Sequence, residues 1–358
     1  MISASHNDNK WNALKFFNSK GEFISKETGE QILELYKNGS FSDSHNEKGQ
    51  YFKEDFIQQH IDAIKNLDLV DIKKIKSKNY KIVVDGINST GGLAVPMLLE
   101  EIGVKNILKI NCNPDGNFAH NPEPLSKNLK QLRDHVLSSK ADLGIAVDPD
   151  VDRLAIVSND GSFFGEEYTL VSCADYILSQ QLGPTVSNLS SSKSLKELTE
   201  KYNCKYYYSA VGEVNVVEKM KEVGAVIGGE GNGGVIYPEL HYGRDALIGV
   251  ALFLTQLAER KVSAKALRDS YPNYFISKNK IELTSEIDMD AILFDLAEKY
   301  KKEKITTIDG LKIDFEEGWV HLRKSNTEPI IRIYAESQGE DKANEFAINM
   351  INEIQKLI

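Results

Sequence analysis

Leu143-Gly144-Ile145-Ala146-Val147-Asp148-Pro149-Asp150-Val151-Asp152-Arg153-Leu154-Ala155-Ile156-Val157 holds two apolar runs joined by an acidic hinge. The apolar runs read as buried strand. Alternate side chains of an extended chain point the same way, so Asp148, Asp150 and Asp152 share one face. Full extension spreads them over roughly 13 Å, too far to share one ion. Pro149 fixes φ and lets the chain bend, which brings their oxygens together. Three carboxylates held close repel each other, and a cation is the economical explanation. Carboxylate-only ligation suits a hard ion: Mg²⁺, Mn²⁺ or Ca²⁺. A solvated acidic turn or a weak calcium loop is the competing local reading, because short Asp-x-Asp patterns recur by chance. Arg153 carries a planar fork able to hold a phosphate or carboxylate beside the ion, or simply to neutralise the aspartates.

Outward from this hinge the chain alternates strand and helix. Tyr80 to Gly86 reads as a buried strand ending in a turn, Gly92 to Gly103 as helix, Asn106 to Ile110 as strand and Leu125 to Ser138 as helix. A similar unit follows: helix Glu167 to Leu182, strand Thr185 to Leu189, helix Ser192 to Tyr202, strand Lys205 to Ser209, helix Val214 to Val223 capped by Gly224, and strand Ala225 to Gly228. Asp245 to Lys261 reads as a long helix. Upstream, helices are expected over Lys26 to Lys37 and around Glu54 to Leu67. From about residue 272 the rhythm changes to short strands with a hairpin turn at Asp309-Gly310, a helix Met289 to Lys302, strand Ile330 to Ala335 and a last helix Glu340 to Ile358. The expected fold class is α/β in tandem layers, followed by an α+β part with an antiparallel sheet. The division is 1–68, 69–165, 166–271 and 272–358.

The 358 residues are 41% hydrophobic and 27% charged, which is ordinary for a soluble globular chain with ample core. A net charge of -10 with no basic stripe argues against nucleic acid as partner. An anionic ligand must then be held by local donor pockets. Cys112, Cys173 and Cys204 are dispersed and odd in number, which fits a reducing compartment and neither a zinc framework nor disulfides. No apolar run approaches a membrane span and the opening residues carry no signal-peptide pattern, so a cytoplasmic protein is expected.

Four polar loops carry the possible chemistry. Ser3-Ala4-Ser5-His6-Asn7 comes first, with Lys15 ten residues beyond Ser5. Neighbours in extended chain face apart, so Ser5 and His6 are not expected to pair, and no Gly-x-Ser-x-Gly elbow supports a hydrolase. The acidic hinge is second. Third is Gly228-Gly229-Glu230-Gly231-Asn232-Gly233-Gly234, where five glycines in seven residues let backbone approach a ligand and leave Glu230 and Asn232 to read it. A carboxylate accepts two hydroxyl protons at once, which suits a sugar diol. The run is neither a Walker loop nor a dinucleotide fingerprint. Fourth is Arg323-Lys324-Ser325-Asn326-Thr327-Glu328-Pro329, with Arg332 beyond, a convergence of donors suited to phosphate. Polar or flexible turns are the plain alternatives for the first, third and fourth loops.

Taken in order, Ser-His-Asn, Asp-x-Asp-x-Asp-Arg, Gly-Glu-x-x-Gly and Arg-x-Ser-Asn-Thr-Glu-Pro resemble the α-D-phosphohexomutases, through essentially the whole chain. Val83-Val84-Asp85-Gly86, Pro114-Asp115-Gly116-Asn117-Phe118 and Asn121-Pro122-Glu123-Pro124 belong to the same resemblance. It implies three related α/β domains and a C-terminal domain like the TATA-binding protein fold. By position, Ser5 is the implied phosphoserine, with His6 in its loop and Lys15 near the transferring phosphate. The resemblance further implies that Asp148, Asp150 and Asp152 bind Mg²⁺ together with an oxygen of phospho-Ser5, with Arg153 beside them. It puts Glu230 and Asn232 in the sugar-selecting loop and Gly212 where the family contacts substrate. Arg323, Ser325, Asn326, Thr327 and Arg332 match the loop that in the family holds the phosphate that does not react. The implied reaction interconverts hexose 6- and 1-phosphates through a bisphosphorylated sugar, by positioning and charge neutralisation.

Departures from the family pattern bear on details. Asp8 stands where proline usually follows, Pro149 replaces a glycine but leaves the three ligands, and Gly234 replaces a histidine, so that candidate base is absent. The Gly-Glu-Gly-Asn-Gly-Gly form, with Trp11-Asn12-Ala13-Leu14-Lys15, is most like phosphoglucosamine mutases, with glucose or mannose phosphates as the alternative substrates. Family members carry roughly a hundred residues before the serine, against Met1 to Ala4 here. The remaining part of the first domain is therefore expected to expose apolar surface, and this short chain to be poorly active. Two other classes compete: a phosphosugar-binding protein without catalysis, which needs none of the transfer residues, and a phosphatase using Asp148 as nucleophile.

Overall fold

The computed structural model describes residues 1–39, 50–282, 288–325 and 329–357. The chain forms two compact units, Met1–Gly165 with Gly234–Ala264, and Glu166–Gly233 with Lys265–Ile358. Among the described residues, no helix is long and apolar enough to cross a membrane.

In the first unit the two apolar runs become the strands Leu143–Val147 and Leu154–Ser158, paired antiparallel with Val147 opposite Leu154. Lys81–Asp85 lies parallel on the other side of Leu143–Val147, and Asn106–Ile110 is parallel beyond it. Every residue of the Leu143–Val147 and Leu154–Ser158 strands is buried, as expected when both faces of a sheet are covered. Helix Lys130–Ser139 covers one face, setting Leu132 and Val136 against Val83, Ala146, Ala155 and Val157. Each of the leucine and valine side chains contributes about 1.5–3 kcal/mol by leaving water.

Helix Ala246–Arg260 is apolar almost all round and buried from Ala246 to Ala258, so it can only be a core helix. Asp245 caps it, its Oδ1 accepting from the backbone N–H groups of Leu247 and Ile248, and Lys261 ends it in the left-handed conformation. It packs on strand Leu154–Ser158 and on the short helix Ile72–Lys78. That short helix is absent from the sequence expectation. Ile72 and Ile75 are its only apolar residues, too few to show a period, and packing of Ile75 decides it. Helix Lys26–Asn38 forms as expected between a Ser25 cap and Gly39, yet buries no residue. Trp11, Leu14, Phe16, Leu33, Leu35 and Tyr36 are exposed in this region. The helix expected from Leu125 begins as a 3₁₀ turn, Ser126–Asn128, before Lys130–Ser139.

In the second unit, parallel strands Tyr206–Ser209, Thr185–Asn188 and Ile227–Glu230 are flanked by helices Glu166–Gln180, Lys193–Lys201 and Glu213–Val223. Gly224 ends the last helix at φ 62°, the cap expected of it. The C-terminal part is an antiparallel sheet ordered Phe275–Glu282, Ile330–Ser337, Gly318–Lys324, Leu311–Phe315, Lys304–Thr306. Helices Met289–Lys299 and Glu340–Leu357 close its core around Leu311, Ile313, Leu322, Ile331 and Ile333.

The glycine-rich run is less of a loop than its composition suggests. The third strand runs Ile227–Glu230, so Gly228, Gly229 and Glu230 belong to the sheet and only residues 231–233 form a turn. Packing by itself demands two of the glycines. A Cβ at Gly228 would stand 2.4 Å from the Met220 sulfur, and one at Gly231 would stand 2.0 Å from the Glu167 carboxylate.

Candidate active site

The acidic hinge turns between its two strands because Val151 adopts φ 61°, a conformation unusual for a β-branched residue. Ala246 N–H donates to the Val151 carbonyl, and Ser89 Oγ donates to the Pro149 carbonyl, so the turn is clamped from two sides. One oxygen from each of Asp148, Asp150 and Asp152 lies within 4.8 Å of the other two. The bend read from Pro149 is therefore real, but the left-handed residue is Val151.

Asp148 is fully buried, and its Oδ1 accepts from the N–H groups of Asp152 and Arg153, both at 3.0 Å. Burial, followed by the charges of Asp152 and Asp150, pushes its carboxyl well above the usual range. Burial also pushes Asp150 up, but Lys15 and the Ser3 hydroxyl outweigh it and hold Asp150 low. Ser3 Oγ donates to Asp150 Oδ2 at 2.8 Å, and Lys15 Nζ lies 2.5 Å from the same oxygen and 3.5 Å from Asp152 Oδ2. Arg244 Nη2 donates to Asp152 Oδ2 at 2.7 Å. What remains is one buried oxygen on each aspartate, Asp148 Oδ2, Asp150 Oδ1 and Asp152 Oδ1, without a hydrogen-bond partner among the described residues. Leaving such groups dry is costly, and an oxygen-seeking divalent cation satisfies all three at once. The residues present fit a hard metal ion.

Ser5 has φ 52°, so the chain is not extended there, and its Oγ lies 3.1 Å from His6 Nδ1. The two side chains meet, contrary to the expectation drawn from extended geometry. Arg153 Nη2 donates to the same Nδ1 at 2.9 Å. A guanidinium can only donate, so Nδ1 is unprotonated and the ring is the neutral tautomer with its proton on Nε2. Burial and then the Arg153 charge lower the His6 pKa to about 4. A ring so engaged orients the serine but is a poor base, which keeps a hydrolase dyad excluded. Arg153 also faces Glu123 Oε1 at 3.5 Å. Ser5, His6, Lys15, Arg153 and the three aspartates thus form one cluster in the first unit.

In the second unit Glu230 is buried, and its Oε1 accepts from Asn188 Nδ2 at 2.8 Å and from Gly212 N–H at 3.2 Å. Gly212 precedes helix Glu213–Val223 with φ 118°, a conformation reserved for glycine. Asn232 lies in the turn after the strand. Next to Gly212, Val211 N–H donates to Asp309 Oδ2 at 2.9 Å, and Arg323 Nη1 approaches the same oxygen at 3.9 Å. Arg323 stands directly opposite Arg332, which stands opposite Lys280 on the next strand. Arg323, Arg332 and Lys280 thus form one cross-strand row of three cations. Ser325 N–H donates to the Ile330 carbonyl. Asn326 and Thr327 lie outside the described residues.

Sequence reasoning gave no role in the site to Arg244 in the first unit, or to Asn188, Lys280 and Asp309 in the second. Each is a common residue type with no local pattern, brought beside the residues of its own unit by a distant element.

Sequence models of the phosphoglucomutase/phosphomannomutase family match in four segments: alpha/beta/alpha domain I over residues 1–43, domain II over 58–161, domain III over 165–274 and the C-terminal domain over 280–353. A phosphoglucomutase/phosphomannomutase of Thermococcus kodakarensis is 37% identical over 351 residues, 97% of this chain and 76% of that protein. A phosphoglucosamine/phosphogalactosamine mutase of Sulfurisphaera tokodaii is 36% identical over 367 residues, covering 100% of this chain and 79% of the relative. A crystal structure of a phosphoglucomutase/phosphomannomutase family protein from Burkholderia thailandensis superposes with a TM-score of 0.85 at 24% identity, covering 99% of this chain and 75% of that one. A tandem α/β chain with a carboxylate trio beside a serine is of the phosphohexomutase class, whose members are isomerases. The chain belongs to the phosphoglucomutase/phosphomannomutase family.

Proposed function

We propose that this chain interconverts hexose 6-phosphate and hexose 1-phosphate, with glucosamine 6-phosphate as the first substrate to test and glucose and mannose 6-phosphates as the alternatives. The observation that carries the reading is the meeting of Asp148, Asp150 and Asp152 beside the Ser5–His6–Arg153 chain. The names of the relatives support both amino-sugar and neutral-sugar substrates.

Ser5 is proposed to carry the phosphoryl group. A sugar hydroxyl oxygen attacks phosphorus, the Ser5 Oγ–P bond breaks, and a bisphosphorylated sugar results. That sugar turns over, and its other phosphate returns to Ser5 Oγ. Asp148, Asp150 and Asp152 would hold Mg²⁺, which would supply charge neutralisation beside the phosphate on Ser5. Lys15, held against Asp150, adds positive charge where the phosphoryl group moves. His6, neutral and anchored by Arg153, sets the direction of Ser5. Glu230, oriented by Asn188 and Gly212, is proposed to accept sugar hydroxyls beside Asn232. The row Arg323, Arg332 and Lys280, with Ser325, Asn326 and Thr327, is proposed to hold the phosphate that stays.

The domain division 1–68, 69–165, 166–271 and 272–358 and a reducing cytoplasmic setting belong to the same proposal. Initial rates with the 6-phosphates of glucosamine, glucose and mannose, primed by the matching 1,6-bisphosphate, test it. Turnover of none, with Mg²⁺ present, overturns the reading.

A further inference from the structure

A second metal-ligating cluster lies in the first unit, built from residues that take no part in the proposed phosphoryl transfer. His60 on helix Ile57–Lys65 and His241 in the turn before the Ala246–Arg260 helix both aim Nε2 at Asp245 Oδ2, at 2.6 and 3.1 Å. Their three ligand atoms lie within 4.8 Å of one another. The two rings come from distant parts of the chain, stand 5.8 Å apart between centroids and are tilted by 56°, so both nitrogens converge on one point.

Asp245 is 7% exposed, and its other oxygen is fixed by the Leu247 and Ile248 N–H groups, which leaves Oδ2 directed at the imidazoles. This is the outer-shell support that a ligating carboxylate needs. His60 and His241 are 35% and 39% exposed, so a further ligand position faces water. A tetrahedral zinc-type site spaces its ligand atoms about 3.4 Å apart, given metal–ligand lengths near 2.1 Å. Asp245 Oδ2 stands 2.6 and 3.1 Å from the two imidazole nitrogens, and all three ligand atoms fall within 4.8 Å of one another.

Two imidazoles and one carboxylate are also the wrong donors for Mg²⁺, which prefers oxygen, and the right ones for a borderline ion. We infer that His60, His241 and Asp245 form a binding site for a borderline divalent transition ion of the zinc class, separate from the oxygen site of Asp148, Asp150 and Asp152. Such an ion would pin helix Ile57–Lys65 to the start of helix Ala246–Arg260. Arg244, the residue before Asp245, donates to Asp152, so the same segment serves both clusters.

The test uses the full chain, stripped of metal and then held in a large excess of Mg²⁺ to occupy the oxygen site. Co²⁺ is titrated in, with visible absorption as the readout. One Co²⁺ per chain, with four-coordinate bands and no thiolate charge transfer, is the expected result. His60→Gln and His241→Gln are each expected to weaken binding at least about tenfold. Absence of binding, a thiolate band from Cys112 or Cys204, or unchanged affinity in both variants overturns the inference. Should the variants fail to fold, crystals of the unaltered chain soaked in Zn²⁺ decide it. An anomalous peak bounded by His60, His241 and Asp245 supports the site; a peak only elsewhere, or none, refutes it. Because no step uses phosphosugar turnover, failure here leaves the mutase proposal standing, and the reverse holds too.

Discussion

At the scale of single residues, the chemistry turns on side chains whose state is set by what surrounds them. Ser5, the proposed phosphoryl carrier, depends for its orientation on His6 and Arg153. Ser5→Ala is expected to lower mutase turnover by at least about a thousandfold. It should also remove the added phosphate from the intact mass after incubation with a sugar 1,6-bisphosphate. Turnover that survives the change would favour the phosphatase reading through Asp148. His321 tests burial itself. It is 2% exposed, its Nε2–H donates to the Asp309 carbonyl at 2.7 Å, and its Nδ1 accepts from Ser190 Oγ at 2.8 Å. Burial first, then the charges of Lys312 and Arg323, lower its pKa to about 4. The unfolded chain binds this proton near pH 6.5 and the folded chain does not, so stability is complete above that pH and falls toward pH 4. The contribution is on the order of 3 kcal/mol. Chemical denaturation at steps from pH 7 to pH 4 should show a shallower decline for His321→Gln than for the parent chain. Equal slopes would mean His321 does not titrate in this window.

At the scale of elements, tight turns place the groups that the strands alone cannot. The hairpin between Lys304–Thr306 and Leu311–Phe315 turns at Asp309-Gly310, with Gly310 at φ 72°. A Cβ there would stand 2.1 Å from the Leu322 carbonyl, which is backbone and cannot step aside. Gly310→Ala is expected to destabilise the fold by roughly 2 kcal/mol or more, measured by urea denaturation. It should also shift Asp309, which links Val211 to Arg323, and so raise KM more than it lowers kcat. An unchanged KM would separate that bridge from phosphate binding. The hairpin was legible from Asp-Gly alone because turn chemistry is local. The packing role of the glycine-rich run was not legible for the converse reason: Gly228 and Gly231 make room for Met220 and Glu167, which the sequence does not place beside them.

At the scale of the whole molecule, each unit has its own apolar core, and the acidic hinge sits in the first with three buried oxygens that lack a hydrogen-bond partner among the described residues. An ion that binds only the folded chain stabilises it by about 2.7 kcal/mol at a hundred times its dissociation constant. Mg²⁺ is therefore expected to raise the thermal midpoint of the full chain and EDTA to lower it, with the response lost in Asp148→Asn/Asp150→Asn. A response kept in that variant would move the ion elsewhere. The strand and helix order, the hairpin and the hinge were readable because periodicity, caps and turns are local properties of the chain. The four loops could be tied to one family for the same reason, since each motif is contiguous. Nothing local reports which distant groups will meet. The arrival of Arg244 at Asp152, the turning of Ser5 onto His6, the row of Lys280, Arg332 and Arg323, and the convergence of His60 and His241 on Asp245 all come from how helices and strands pack. Burial then raises the proton affinity of Asp148 and lowers that of His6, and only the folded arrangement sets which way.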